Sequence, residues 1–198
     1  MLPAPDYFLR HLSAAWRVMV TGRDEALAQM DLSAEGFWRS FWSLLVALPA
    51  LAASWVSGDV ALAGESTNGT GSLVARLALT DMLVWIVPII LLAAASGPMN
   101  IRNRFPAYVI TSNWGSALLA WLIVPPALLG GFGGNGGELG EALQFAAIVF
   151  SLILGWRLAW AVFGRDAAQA SLVFVVVIVL SVMTNVAALQ VLGLTLQP

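Results

Sequence analysis

Five long apolar runs dominate the sequence: roughly Phe37–Val56, Leu73–Ala95, Phe105–Leu129, Ala142–Phe163 and Ala170–Gly193. A helix needs about 20 mostly apolar residues to cross roughly 30 Å of hydrocarbon, and each run meets that length. None alternates with a period of two, so the runs predict spanning helices rather than barrel strands. Composition agrees. Only 10% of the 198 residues are charged and 60% are hydrophobic, against about 25% charged in a soluble domain. Too little polar surface remains to coat a globule in water. The predicted fold class is all-α: a polytopic membrane protein with five transmembrane helices and an N-terminal amphipathic helix.

Charge sets the expected orientation. All nine cationic residues are arginine. Arg10, Arg17, Arg23 and Arg39 precede or begin the first span, Arg102 and Arg104 fill the second connection, and Arg165 lies in the fourth. The connections 57–72 and 130–141 and the tail 194–198 carry none. Arginine on alternate sides places the N-terminus in the cytoplasm and the C-terminus on the far side. The first run begins only at Phe37, too late for an ordinary signal peptide, although "ALA" at 61–63 spells a cleavage site. A net charge of −2 gives no basis for nucleic-acid binding, and the absence of cysteine excludes disulfides and thiolate metal sites.

The segment before the spans, residues 1–36, reads as cytoplasmic. In "PAPDYFLRHLSAAWRVMVTG", Phe8, Leu12, Ala15, Trp16 and Met19 recur at helical spacing, with Asp6, Arg10, Ser13 and Arg17 opposite. Pro5 suits a first turn, Asp6 complements the dipole there, and Gly22 ends the helix. Such a stripe either lies on the inner leaflet or packs on the protein's own bundle. Ser33 is placed to cap the next helix. His11, the single histidine, has no partner set for metal or proton relay.

Two motifs invite a chemical reading and lack the context for it. Gly131-x-Gly133-x-x-Gly136 spells a dinucleotide fingerprint but follows a spanning helix instead of a strand. "NGT" at 68–70 spells a glycosylation sequon, relevant only in a eukaryotic secretory membrane. No zincin, nucleophile-elbow or P-loop pattern is present, and only one aspartate falls inside a span. No enzyme, cofactor or metal site is expected.

That aspartate is Asp81, in "ARLALTDMLVWIVPII". It lies about 12 Å from the outer end of its helix at about 1.5 Å per residue. Thr184 and Asn185 fall at a similar depth in the fifth span, with Arg76 nearer the surface, so one intramembrane polar cluster is predicted from Asp81, Asn185, Thr184 and Arg76. A second cluster joins Arg157 to Asn113; Arg157 snorkelling to the headgroups is the alternative. Asp81 is then either a helix–helix strut, bonded to Asn185 or Arg76, or a carboxylate on a transport path. Small side chains at Ala147, Ser151, Gly155 and Ala159, and at Ser112, Ser116 and Ala120, predict close packing of spans three and four, or of either against a partner. Pro49, Pro88 and Pro125–Pro126 are positions where helices kink or end.

The stretches "FPAYVITSNWGSALLAWLIVPPALL" and "LILGWRLAWAVFGRDAAQASLVFVVVIVL", in a chain of five spans with a cytoplasmic N-terminal segment, resemble the Yip family (Ypt-interacting-protein-like). The resemblance covers roughly residues 37–193. It implies a five-span membrane protein with no catalytic residues; in eukaryotes the family is associated with vesicle trafficking and binding of small GTPases, and the N-terminal segment here lacks the long polar domain of those trafficking members. An all-arginine, alanine-rich composition suits a high-GC bacterium and hence its inner membrane. The expected role is a non-enzymatic scaffold or accessory subunit whose partners are the lipid bilayer and other membrane proteins. The alternative is a small transporter or channel component using Asp81 and Asn185, with Arg157 and Asn113.

Overall fold

The structure, a computed structural model, describes residues 4–62, 70–131 and 137–194. The glycine fingerprint beyond Gly131, most of the sequon and the end of the tail lie outside them. The described elements are all helical: α1 (Pro5–Thr21), α2 (Asp24–Leu27), α3 (Ala34–Ser40), α4 (Ser43–Leu62), α5 (Thr70–Ala95), α6 (Phe105–Gly131), α7 (Gly137–Val162) and α8 (Ala167–Val191). Five segments are long and apolar enough to cross a membrane: Ala34–Trp55, Gly71–Ala95, Phe105–Pro126, Glu138–Val162 and Ala167–Val191. The protein is an integral membrane protein of five spans.

The helices overrun the apolar runs at several ends, because a helix satisfies its own backbone beyond the hydrocarbon that hydropathy detects. Pro49, Pro88, Pro125 and Pro126 all lie inside helices and end none of them. The first span is two pieces. At Phe41–Trp42 the chain tightens into bonds of three-residue spacing, Phe41 N–H to Trp38 O at 3.3 Å and Trp42 N–H to Arg39 O at 3.1 Å, before α4 begins.

The spanning helices close into a ring. In order around it, α4 packs on α6, α6 on α7, α7 on α8, α8 on α5 and α5 on α4. The consecutive helices α5 and α6 therefore do not share a principal seam. Outward faces are apolar: Val175, Val179, Val182 and Val186 on α8, and Ile86 and Ile90 on α5, are exposed. In water they would form a large sticky patch; against lipid tails they are at home.

Tryptophan indoles tie the ring together. Trp55 Nε1 donates to Asp81 (α4 to α5, 2.6 Å), Trp85 Nε1 to Asn113 (α5 to α6, 3.0 Å), Trp121 Nε1 to the Val46 carbonyl (α6 to α4, 2.8 Å) and Trp156 Nε1 to Ser171 (α7 to α8, 3.0 Å). Water does not compete for these donors in hydrocarbon, and each such bond contributes about 0.6–2 kcal/mol.

α1 starts as its sequence dictates, with Pro5 in the first turn, and ends at Gly22 in the left-handed region (φ 62°). It packs on α6 and α7. The buried face is Tyr7, His11, Ala14, Ala15, Val18 and Met19, rotated from the stripe the sequence predicts: Ala15 and Met19 are shared, but Trp16 is exposed. Adjacent alanines explain the rotation, since Ala14 and Ala15 let the helix axis approach α6, where a tryptophan would hold it off. Leu9, Trp16 and Val20 remain on the outer side.

His11 fastens the following turn to α1. It is fully buried; Nδ1 lies 2.8 Å from the Tyr7 carbonyl, and Nε2 accepts the Asp31 N–H at 3.1 Å. One nitrogen donates and the other accepts, so the ring is neutral. Burial pushes its pKa below the ordinary value; the Tyr7 carbonyl opposes, Arg10 adds to the depression and Asp31 opposes it. The unfolded chain then binds the proton that the native state refuses. Stability from this site is full above pH about 6.5 and falls as pH drops below it. His11→Gln, which is not charged, should flatten that acid limb in thermal unfolding followed between pH 7 and 5 (a range set by about the ordinary histidine pKa).

Candidate functional site

Inside the ring lies a cavity of about 570 Å³ to which α4 through α8 all contribute. Its wall on α6 runs from Tyr108 to Val124, about 24 Å at about 1.5 Å per residue. Its volume is within the range of small-molecule sites, about 300–1,000 Å³. Counted along the antiparallel helices, Ser54, Asp81 and Ser181 lie toward the end remote from α1. Leu92, Tyr108 and Leu158 lie toward α1. The wall is mostly apolar, and Asp81 is the charged residue in it.

Asp81 is held by a partner the sequence reading did not name. Trp55 Nε1 donates to its Oδ2 at 2.6 Å. Neither predicted partner is bonded to it. Arg76, about one and a half turns away, is turned to the end of α8, where Nη1 donates to the Leu192 carbonyl at 3.2 Å. Asn185 makes no hydrogen bond to Asp81 among the described residues, and Thr184 spends its hydroxyl on the Leu180 carbonyl at 2.7 Å. The four-residue polar layer is thus corrected to a Trp55–Asp81 pair and a separate helix cap at Arg76. The reason is reach: an indole from the adjacent α4 meets the carboxylate directly, while a guanidinium finds orphan carbonyls at the end of α8.

The second predicted cluster also separates. Asn113 is buried, donating Nδ2 to Ser40 Oγ at 2.9 Å and accepting Trp85 Nε1 at 3.0 Å, so one amide ties α3, α5 and α6. Ser40 in turn donates to the Phe37 carbonyl at 2.7 Å. Arg157 is elsewhere and does not snorkel. Its Nε donates to the Met19 carbonyl at 2.7 Å and its Nη2 to the Val20 carbonyl at 2.5 Å, closing the last turn of α1. Arg104 does the same for α7 through the Val162 carbonyl, at 2.7 Å, and Arg165 reaches the Gly22 carbonyl at 3.4 Å. These are cations on carbonyls that a helix leaves orphaned, at the negative end of its dipole.

The small residues divide between packing and cavity. Ala147 and Ala159 are buried, whereas Ser112, Ser116, Ser151 and Gly155 line the cavity. At Gly155 an added Cβ would stand 3.0 Å from the Phe174 ring of α8, so that glycine seats α8 instead of α6. The close approach of α6 to α7 is made at Gly115, where a Cβ would meet Leu158 at 2.7 Å and Met19 Sδ at 3.6 Å. Met19 of α1 thereby backs the cavity wall.

Trp55, Trp85 and Gly115 are the site residues that sequence reasoning missed. Indole donors at span interiors, needing an acceptor where water is absent, were the available signal. Among the described residues no group of three His, Cys, Asp or Glu side chains is placed to hold a metal. The arrangement can bind and orient a guest and offers it one carboxylate. Compared with family models, curated proteins and solved structures, the chain matches none of the three.

Proposed function

We propose that this chain is a membrane-embedded carrier, a small transporter component that binds its cargo in the ring cavity without catalysing a reaction. The carrying observation is the elongated cavity with Asp81 in its wall. A scaffold acting through small-residue faces needs those faces turned outward; here Ser116, Ser151 and Gly155 turn inward, which supports the carrier over the scaffold. The arginine distribution supports a bacterial inner membrane with the N-terminus cytoplasmic and the C-terminus periplasmic. Five spans preceded by an amphipathic helix support membership of the bacterial Yip branch.

The absence of cysteine makes the test direct. Ser116→Cys, exposed on the cavity wall, should react in proteoliposomes with a charged, membrane-impermeant thiol reagent. Val186→Cys, on the outer face of α8, should not. Equal silence at both positions would mean that the cavity never meets water, and the carrier reading would fall.

A further inference from the structure

We infer that the cavity is built for a lipophilic organic cation: an amine, quaternary ammonium or similar centre carried on an apolar body. The inference rests on the carrier reading and specifies its cargo. Asp81 brings the one ionisable carboxyl into a wall otherwise made of apolar groups, hydroxyls, the Asn113 amide and the Trp85 indole. No ion pair reaches it among the described residues. A charge inside a bilayer is normally paired or aimed at a water-filled path. Trp55 engages Oδ2, fixing the carboxylate's orientation, and no described residue bonds Oδ1. A cationic guest supplies the missing countercharge.

The rest of the cavity fits the rest of such a molecule. Trp85 lines it beside Asp81 on α5, an aromatic face of the kind that attracts organic cations. Toward α1 the wall is Leu92, Tyr108, Leu158 and Phe174, a surface for an apolar body. Between these ends Ser112, Ser116 and Ser151 break the apolar wall. An anion would meet Asp81 with neutral hydroxyl donors and no cation in the wall to offset it, and a neutral alkane would leave the carboxylate unpaired.

Tetraphenylphosphonium and tetraphenylborate, near-isosteric ions of opposite sign, separate charge from greasiness. With the full chain in lipid nanodiscs, equilibrium dialysis should show saturable binding of the phosphonium above that of protein-free discs, and none of the borate. Asp81→Asn should weaken phosphonium binding by at least about ten-fold. Trp55→Phe, which frees the carboxylate without removing it, should retain the phosphonium; this variant guards against a folding defect in Asp81→Asn. Saturable borate binding, no phosphonium binding, phosphonium binding unchanged in Asp81→Asn, or loss of it in Trp55→Phe would each overturn the inference. If any of these occurs while Ser116→Cys still labels, the carrier reading survives and only the cargo class is wrong.

Discussion

Trp114→Ala is expected to lower the unfolding free energy by about 3–5 kcal/mol, the cost of deleting a large aromatic from a packed core. Trp114 is fully buried where α1 lies on α6, with ring centroids of His11 at 5.3 Å, Phe8 at 5.7 Å and Tyr7 at 6.1 Å. Its indole N–H has no partner, unlike those of Trp55, Trp85, Trp121 and Trp156, so its contribution is shape and surface alone. Trp114→Phe should therefore retain most of the stability, although it loses the same N–H. Thermal unfolding in mild detergent, followed by size-exclusion of the heated sample, checks both variants. An equal loss for Phe and Ala would point to a polar role and contradict the packing argument.

Arg157→Met should loosen the C-terminal end of α1, costing about 1.5–3 kcal/mol for charge-assisted bonds to the Met19 and Val20 carbonyls. Methionine keeps much of the stem's apolar contact, so the loss reports the bonds. Arg157→Lys keeps the charge but replaces a planar fork by a point donor, and should recover under half of the stability. Limited trypsinolysis at Arg17 and Arg23 gives an independent reading, since both become cleavable when α1 lifts from α6 and α7. Unchanged cleavage alongside lowered stability would place the defect within α7 and not at the α1 seam.

Spanning count and helix class were legible because hydrocarbon allows few solutions: long apolar runs must be helices, and each helix satisfies its own backbone. The caps at Gly22 and Ser33 were legible for the same local reason, the latter seen as Ser33 Oγ accepting the Gly36 N–H at 3.1 Å. Partners were not. Depth counting placed Asp81 level with Asn185, but a level is a circle, and only the packing order around the ring decides which neighbour faces inward. That order, α4–α6–α7–α8–α5, has no signature in hydropathy, because all sides of each helix are apolar. The rotated face of α1 failed on another ground: ranking residues by hydrophobicity favours Trp16, while close packing favours Ala14 and Ala15. The cavity, too, was invisible, since it depends on helices that follow one another in sequence without sharing a seam.

The arginine caps carry a consequence for how the chain is made. Arg104 and Arg76 are synthesised before the helix ends they close, at Val162 and Leu192, so α7 and α8 can be finished as they emerge. α1 is the reverse. Its terminal carbonyls wait for Arg157, 138 residues downstream of Met19, and for Arg165 after that. α1 precedes the five spans and yet is closed only after four of them have been made. Until α7 is in place it stays a loosely ended, amphipathic segment, and its docking leaves only α8 to complete the ring.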